Sequence, residues 1–113
     1  MRRKKNPAEY LAHKEAALKL VTERLEYFNQ FYNYKWNKVT IRNQLTRWGS
    51  CSRKGNLSFS YKLALLPPRL SDYIIVHELC HLGQFNHSRA FWALVEQQVS
   101  EHREIRKELK RIP

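Results

Sequence analysis

Cysteine, glycine and, over a long stretch, carboxylates are scarce in this chain. Only two cysteines, Cys51 and Cys80, occur in 113 residues, too few for a disulfide framework, so the reducing cytoplasm is the expected compartment. Three glycines and four prolines exclude collagen-like and low-complexity sequence. No apolar run approaches the roughly 20 residues needed to cross a bilayer, so no membrane partner is expected. The basic opening Met1-Arg2-Arg3-Lys4-Lys5 leads into polar amphipathic sequence, where a secretion signal needs an apolar stretch. From Tyr27 to Ser71 there is no carboxylate, against eight basic residues: Lys35, Lys38, Arg42, Arg47, Arg53, Lys54, Lys62 and Arg69.

What is present fits an ordinary globular chain. A hydrophobic fraction of 42% with 27% charged residues argues against wholesale disorder. The length suits a single domain over residues 1–113, with residues 1–5 a flexible basic arm. The net charge of +11 lies mostly in the carboxylate-free segment, because residues 72–113 hold six charges of each sign and cancel. Nine of the fourteen aromatics share that segment. It could attract a nucleic acid or another polyanion and stack its bases, or be a solvated basic face over aromatic core residues.

Asn6 caps a helix that Pro7 and Glu9 favour, and Leu11, Leu18, Val21, Leu25, Phe28 and Tyr32 give it one apolar stripe to about Phe31. Val39, Ile41 and Leu45 alternate with polar residues, as do Leu57, Phe59, Tyr61 and Leu63. The turn-forming Gly49–Asn56 stretch between them predicts an antiparallel hairpin. Pro67-Pro68 opens a second helix, apolar nearly all round from Tyr73 to Leu82 and therefore buried. Ser88 caps a third helix carrying Phe91, Leu94, Val95 and Val99, and a basic last helix carries Ile105 and Leu109. The order is that of an α+β fold.

Three polar residues interrupt the buried helix. His77-Glu78-Leu79-Cys80-His81 is the H-E-x-x-H pattern. At 3.6 residues per turn, its imidazoles stack on one face at chelating separation. Glu78 is offset by about 100° and can reach a metal-bound water without ligating the metal. A catalytic zinc needs a third protein ligand and an open position. His87 is the candidate, although on a continuous helix it would sit about 9 Å beyond His81. Gly83, in a left-handed cap, would break the helix and let His87 return. Unpaired polar groups in an apolar helix cost several kcal/mol, and metal binding accounts for all four residues at once. His13 and His102 lack such a context and are expected at the surface. Cys80 reads as core packing, with ligation the lesser alternative. Cys51 is a thiol that could lie near the metal.

Arg47-Trp48-Gly49-Ser50-Cys51-Ser52, Gly55-Asn56-Leu57, Leu65-Leu66-Pro67-Pro68, the H-E-x-x-H run with Leu82, Asn86-His87-Ser88 and Phe91-Trp92 follow in an order that resembles the YgjP-like metallopeptidase domain. That family consists of zincins similar to the SprT and WLM proteases. The resemblance spans roughly Leu25 to Leu109. It implies a zincin-like fold, zinc on His77, His81 and His87, and Glu78 as the catalytic residue. Family members usually carry an extra N-terminal β-rich region that is absent here, so a different substrate surface is expected. The histidine spacing equals that of metzincins, but Gly83 is one place early and the only methionine is Met1, which excludes their Met-turn.

Zinc-dependent peptide hydrolysis is the leading expectation, with Glu78 as general base. Tyr61, Tyr73 or an arginine of the hairpin are candidates to stabilise the carbonyl oxygen, and Trp48 and Trp92 are expected to pack around the site. An exposed hairpin edge could hold a polypeptide by strand addition. Three imidazoles also accept manganese, cobalt or nickel. One alternative is a metal-dependent hydrolase acting on nucleotides or on nucleic-acid-bound proteins. Another is a non-catalytic nucleic-acid-binding module with a structural zinc, which would need Cys51 or Cys80 as fourth ligand.

Overall fold

Helix α1 (Pro7–Asn29) begins as its sequence directs, with the Asn6 side chain accepting the Glu9 amide at 3.1 Å. The computed structural model describes residues 5–44 and 46–112. Leu45, expected in the first strand, and residues 1–4 of the expected arm lie outside them. Ala17, Val21, Leu25 and Phe28 are the buried face of α1. Leu11 and Leu18, expected in that stripe, point outward at 67% and 43% exposure. The helix stops at Asn29, whose side chain accepts the Tyr34 amide and donates to the Tyr34 carbonyl, both at 2.8 Å. Asn33 supplies the left-handed residue of that turn, with φ of 61°.

Three strands follow: β1 (Lys38–Arg42), β2 (Gly49–Cys51) and β3 (Asn56–Ser60). The sheet order is β1-β3-β2, with β3 antiparallel to β2 and parallel to β1. The expected hairpin therefore exists, but its first strand is Gly49–Cys51 and not the Val39 segment. Its turn closes through the Gly55 amide on the Ser52 carbonyl at 2.9 Å. Gly55 sits there at φ of +81°, where a side chain would be strained. The Val39 segment instead joins the far side of β3, because the chain crosses over before the short hairpin begins.

Central β3 is covered on both faces, with Leu57, Ser58, Phe59 and Ser60 all buried. Buried Ser58 is satisfied by Thr40 Oγ1 at 3.0 Å and by Arg42 Nε, which donates at 3.1 Å. The alternation expected to continue as strand to Leu63 stops at Ser60, whose hydroxyl accepts the Lys62 amide and caps a 3-10 helix at Tyr61–Leu65.

Helix α2 (Pro68–Cys80) is the central element, with Leu70, Ile74, Ile75, Val76 and Leu79 buried among residues of α1 and the sheet. Helices α3 (Arg89–Gln98) and α4 (His102–Arg111) close the core with Phe91, Val95 and Ile105. The Ser88 hydroxyl accepts the Phe91 amide and caps α3 as its sequence predicts. The result is the expected mixed α+β architecture: N-terminal helix, small sheet, buried motif helix and two C-terminal helices. Among the described residues no helix is long and apolar enough to cross a membrane.

Candidate metal centre

His77 lies in the last turn of α2, and His81 is the residue that caps it. The helix ends without a left-handed residue. The Cys80 carbonyl accepts both the Gly83 and the Gln84 amides, at 3.0 and 3.1 Å, and this tight turn starts the return towards His87. The expected left-handed cap at Gly83 is thus corrected, since Gly55 is the one described glycine with positive φ. Gly83 is needed for another reason. A Cβ there would run into the Tyr34 hydroxyl; Asn29 holds the Tyr34 backbone, and the Tyr34 ring stacks on Tyr32 at 5.6 Å.

The return brings the three rings together. His87 Nε2 lies 3.2 Å from His81 Nε2 and 3.2 Å from His77 Nε2, and the three form a group able to hold a metal ion. The other ring nitrogens explain the orientation. His81 Nδ1 lies 2.9 Å from the Gln84 carbonyl; a carbonyl only accepts, so Nδ1 carries the hydrogen and Nε2 a lone pair. His77 Nδ1 lies 3.0 Å from Tyr73 Oη, and a hydrogen donated there likewise leaves Nε2 free. Such partners on the far nitrogen are characteristic of histidines that ligate metals.

A zinc ion with bonds of about 2.0–2.1 Å places its nitrogen ligands about 3.3–3.4 Å apart on a tetrahedral edge. Two of the three separations come close to that edge and all three nitrogens lie within 4.8 Å of one another, so the donor set could hold such an ion.

The surroundings are aromatic. His81 stacks on Phe91 with centroids 4.3 Å apart, and the more exposed His87 stacks on Trp92 at 5.8 Å. Burial, then the neighbouring charges of His81, His87 and Arg106, pushes the His77 pKa down to about 3. Burial also lowers that of His81. Both rings are thereby neutral at ordinary pH, the form that binds a metal.

Glu78 is 7% exposed, and burial pushes its pKa up to about 8, with Arg47 opposing. Its Cγ would lie 3.1 Å from a Cβ at Gly49, so glycine in β2 lets the strand pass close to the carboxyl group. A divalent cation nearby would draw that pKa back down. Glu78, His77 and His87 line a cleft of about 560 Å³ with Trp48, Tyr73 and Trp92.

The other expected residues divide. Tyr73 lines this cleft, whereas Tyr61 is fully buried and donates its hydroxyl proton to Glu9. Trp92 packs on the site as expected, and Arg47 from the approach to the hairpin faces the cleft. Neither cysteine belongs to the ligand group found among the described residues. Cys80 is buried in the core, and burial raises both thiol pKa values to about 11. His102, expected at the surface, is 3% exposed and stacks on Trp92 at 5.1 Å. Sequence reasoning missed the Gln84 carbonyl and Arg106. Tyr73 could have been found as His77's partner, since it precedes it by one helical turn.

Comparison with known proteins agrees with this geometry. The crystal structure of the metallopeptidase zymogen of Pyrococcus abyssi abylysin superposes with a TM-score of 0.70 at 27% identity, covering 79% of this chain and 90% of that one. No curated protein matches the sequence. The family described as YgjP-like, metallopeptidase domain matches residues 2–112, so the similarity includes α1 and extends beyond the span that the motifs alone suggest. The chain therefore belongs to the YgjP-like metallopeptidase domain family.

Proposed function

We propose that this protein is a zinc-dependent peptidase, with His77, His81 and His87 as metal ligands and Glu78 as general base. The convergence of three imidazole nitrogens at 3.2 Å contacts beside a buried carboxyl in an open cleft carries this reading. Zinc, when bound, acidifies water towards neutrality and polarises a carbonyl oxygen. The chain's own residues do the rest. Tyr73 and the Gln84 carbonyl hold His77 and His81 in orientation. Glu78 takes a proton from the attacking water and passes it to the leaving amine. Phe91 and Trp92 stack on His81 and His87 and hold their ring planes.

Among the described residues strand β2 pairs only with β3, forming the sheet edge at the cleft. An extended polypeptide adding to that edge would lay its backbone past Glu78. A reducing cytoplasm suits the two unpaired cysteines. The test is a Glu78→Gln protein shown by elemental analysis to retain its zinc. Cleavage of an unfolded protein is expected to fall by about 10²–10⁴-fold, and cleavage at the wild-type rate overturns the assignment.

A second reading keeps the metal and changes the substrate. Arg47, Arg106 and Lys110 line the cleft and would attract phosphates of a nucleotide, or of nucleic acid carrying a bound protein. Turnover of a nucleoside triphosphate with no peptide cleavage would select it. The structural-zinc module has no supporting observation, since neither thiol joins the histidines.

A further inference from the structure

The cleft beside the histidines is charged almost entirely with one sign. Among the described residues Glu78 is its only carboxyl group, against Arg47, Arg106 and Lys110. Of these, Arg106 is held in place. Its guanidinium carbon lies 4.1 Å from the Trp92 ring centroid, and the same indole stacks on His87. The carboxylates that could have neutralised this side are turned to other partners. Glu108 pairs with Arg69, Asp72 with Arg24, and Glu96 lies beside His102. Among the described residues, none of the three cleft cations has an ion-pair partner.

We propose that Arg106, with Arg47 and Lys110 along the same cleft, binds a carboxylate of the substrate, making this a peptidase selective for acidic peptides. The proposal rests on the peptidase reading above. A guanidinium presents paired donors that match a carboxylate. Because Trp92 already orders it, little side-chain freedom is lost on binding. Half-burial of Arg106 limits screening by water relative to an exposed lysine. The carboxylate can come from an Asp or Glu side chain near the scissile bond or from the peptide's C-terminus.

The zinc-loaded full chain is assayed on matched quenched-fluorescence peptides. One series carries Glu or Gln beside a common cleavage site, and the other has a free or amidated C-terminus. An acid-over-amide ratio in kcat/KM of about ten-fold or more is expected in at least one series, as for a charge-assisted hydrogen bond. The series that shows it identifies the source of the carboxylate. The ratio should shrink as salt is added. Arg106→Gln should collapse it, and Arg106→Lys should restore part of it. Lys110→Glu, on the exposed side of α4 and remote from core packing, should lower it too. Equal rates in both series overturn the proposal, as does an Arg106→Gln protein that loses acidic and neutral cleavage in equal proportion. If no peptide of either kind is cleaved, the peptidase reading itself fails. The carboxylate site is then judged by anisotropy of the same labelled peptides on the Glu78→Gln protein, where equal affinities overturn it.

Discussion

The two walls of the cleft are built from different kinds of sequence information. One wall is α2 with the edge strand β2, and His77 and Glu78, which line it, belong with His81 to five consecutive positions. The other is α3 with α4, where Trp92 and Arg106 line the cleft and His102 stacks on Trp92 behind them, a meeting that exists only because two separate helices pack together. The first wall carries groups whose lone pairs and protons would do chemistry. The second orients and charges the space before them. Helical periodicity writes the first wall into local sequence, whereas the second depends on packing that no local pattern encodes.

This contrast can be sharpened, beginning with the largest expected effect. Tyr73→Phe removes the partner of His77 Nδ1 from the first wall, and zinc affinity should fall by about 10–100-fold, measured by competition with a chromophoric chelator. An unchanged affinity would mean that the hydroxyl does not orient the ring. Gly83→Ala drives a methyl group into Tyr34 and should cost about 1–3 kcal/mol of stability by overpacking. Urea unfolding reads this loss, and adding Tyr34→Leu should recover part of it. Trp92→Leu, on the second wall, removes only ring contacts and should weaken zinc about two- to ten-fold, the scale of an aromatic pair. A loss exceeding that of Tyr73→Phe would erase the distinction between the walls. Leu18→Lys on the outward face of α1 should change stability by less than about 0.5 kcal/mol, in the same urea titration.

The residues proposed as ligands were legible because chemistry concentrates them. Two histidines and a glutamate in an otherwise apolar helix conflict with burial unless something binds them. The helix caps at Asn6 and Ser88 were legible because capping is local. The strand pairing was not. Val39 and Ile41 have the alternation of a strand, but alternation does not say which neighbour they join, and the short β2 takes the antiparallel place. Leu11 and Leu18 follow helical period, yet the elements beneath α1 do not extend to cover them. His102 looked like a surface residue because its stacking partner, Trp92, belongs to another helix. Gly83 was rightly singled out, but for the wrong physical reason. It provides room for a tyrosine side chain, and its backbone is not left-handed.

That tyrosine ties the opening of the chain to its most reactive part. Asn29 clamps Tyr34 at the end of α1, and the Tyr34 hydroxyl occupies the place where a side chain at residue 83 would stand. The tail of the first helix thus fixes the backbone from which Tyr34 reaches the turn between the second and third imidazoles. A bulkier residue at position 83 would therefore have to displace a ring anchored at the other end of the sequence.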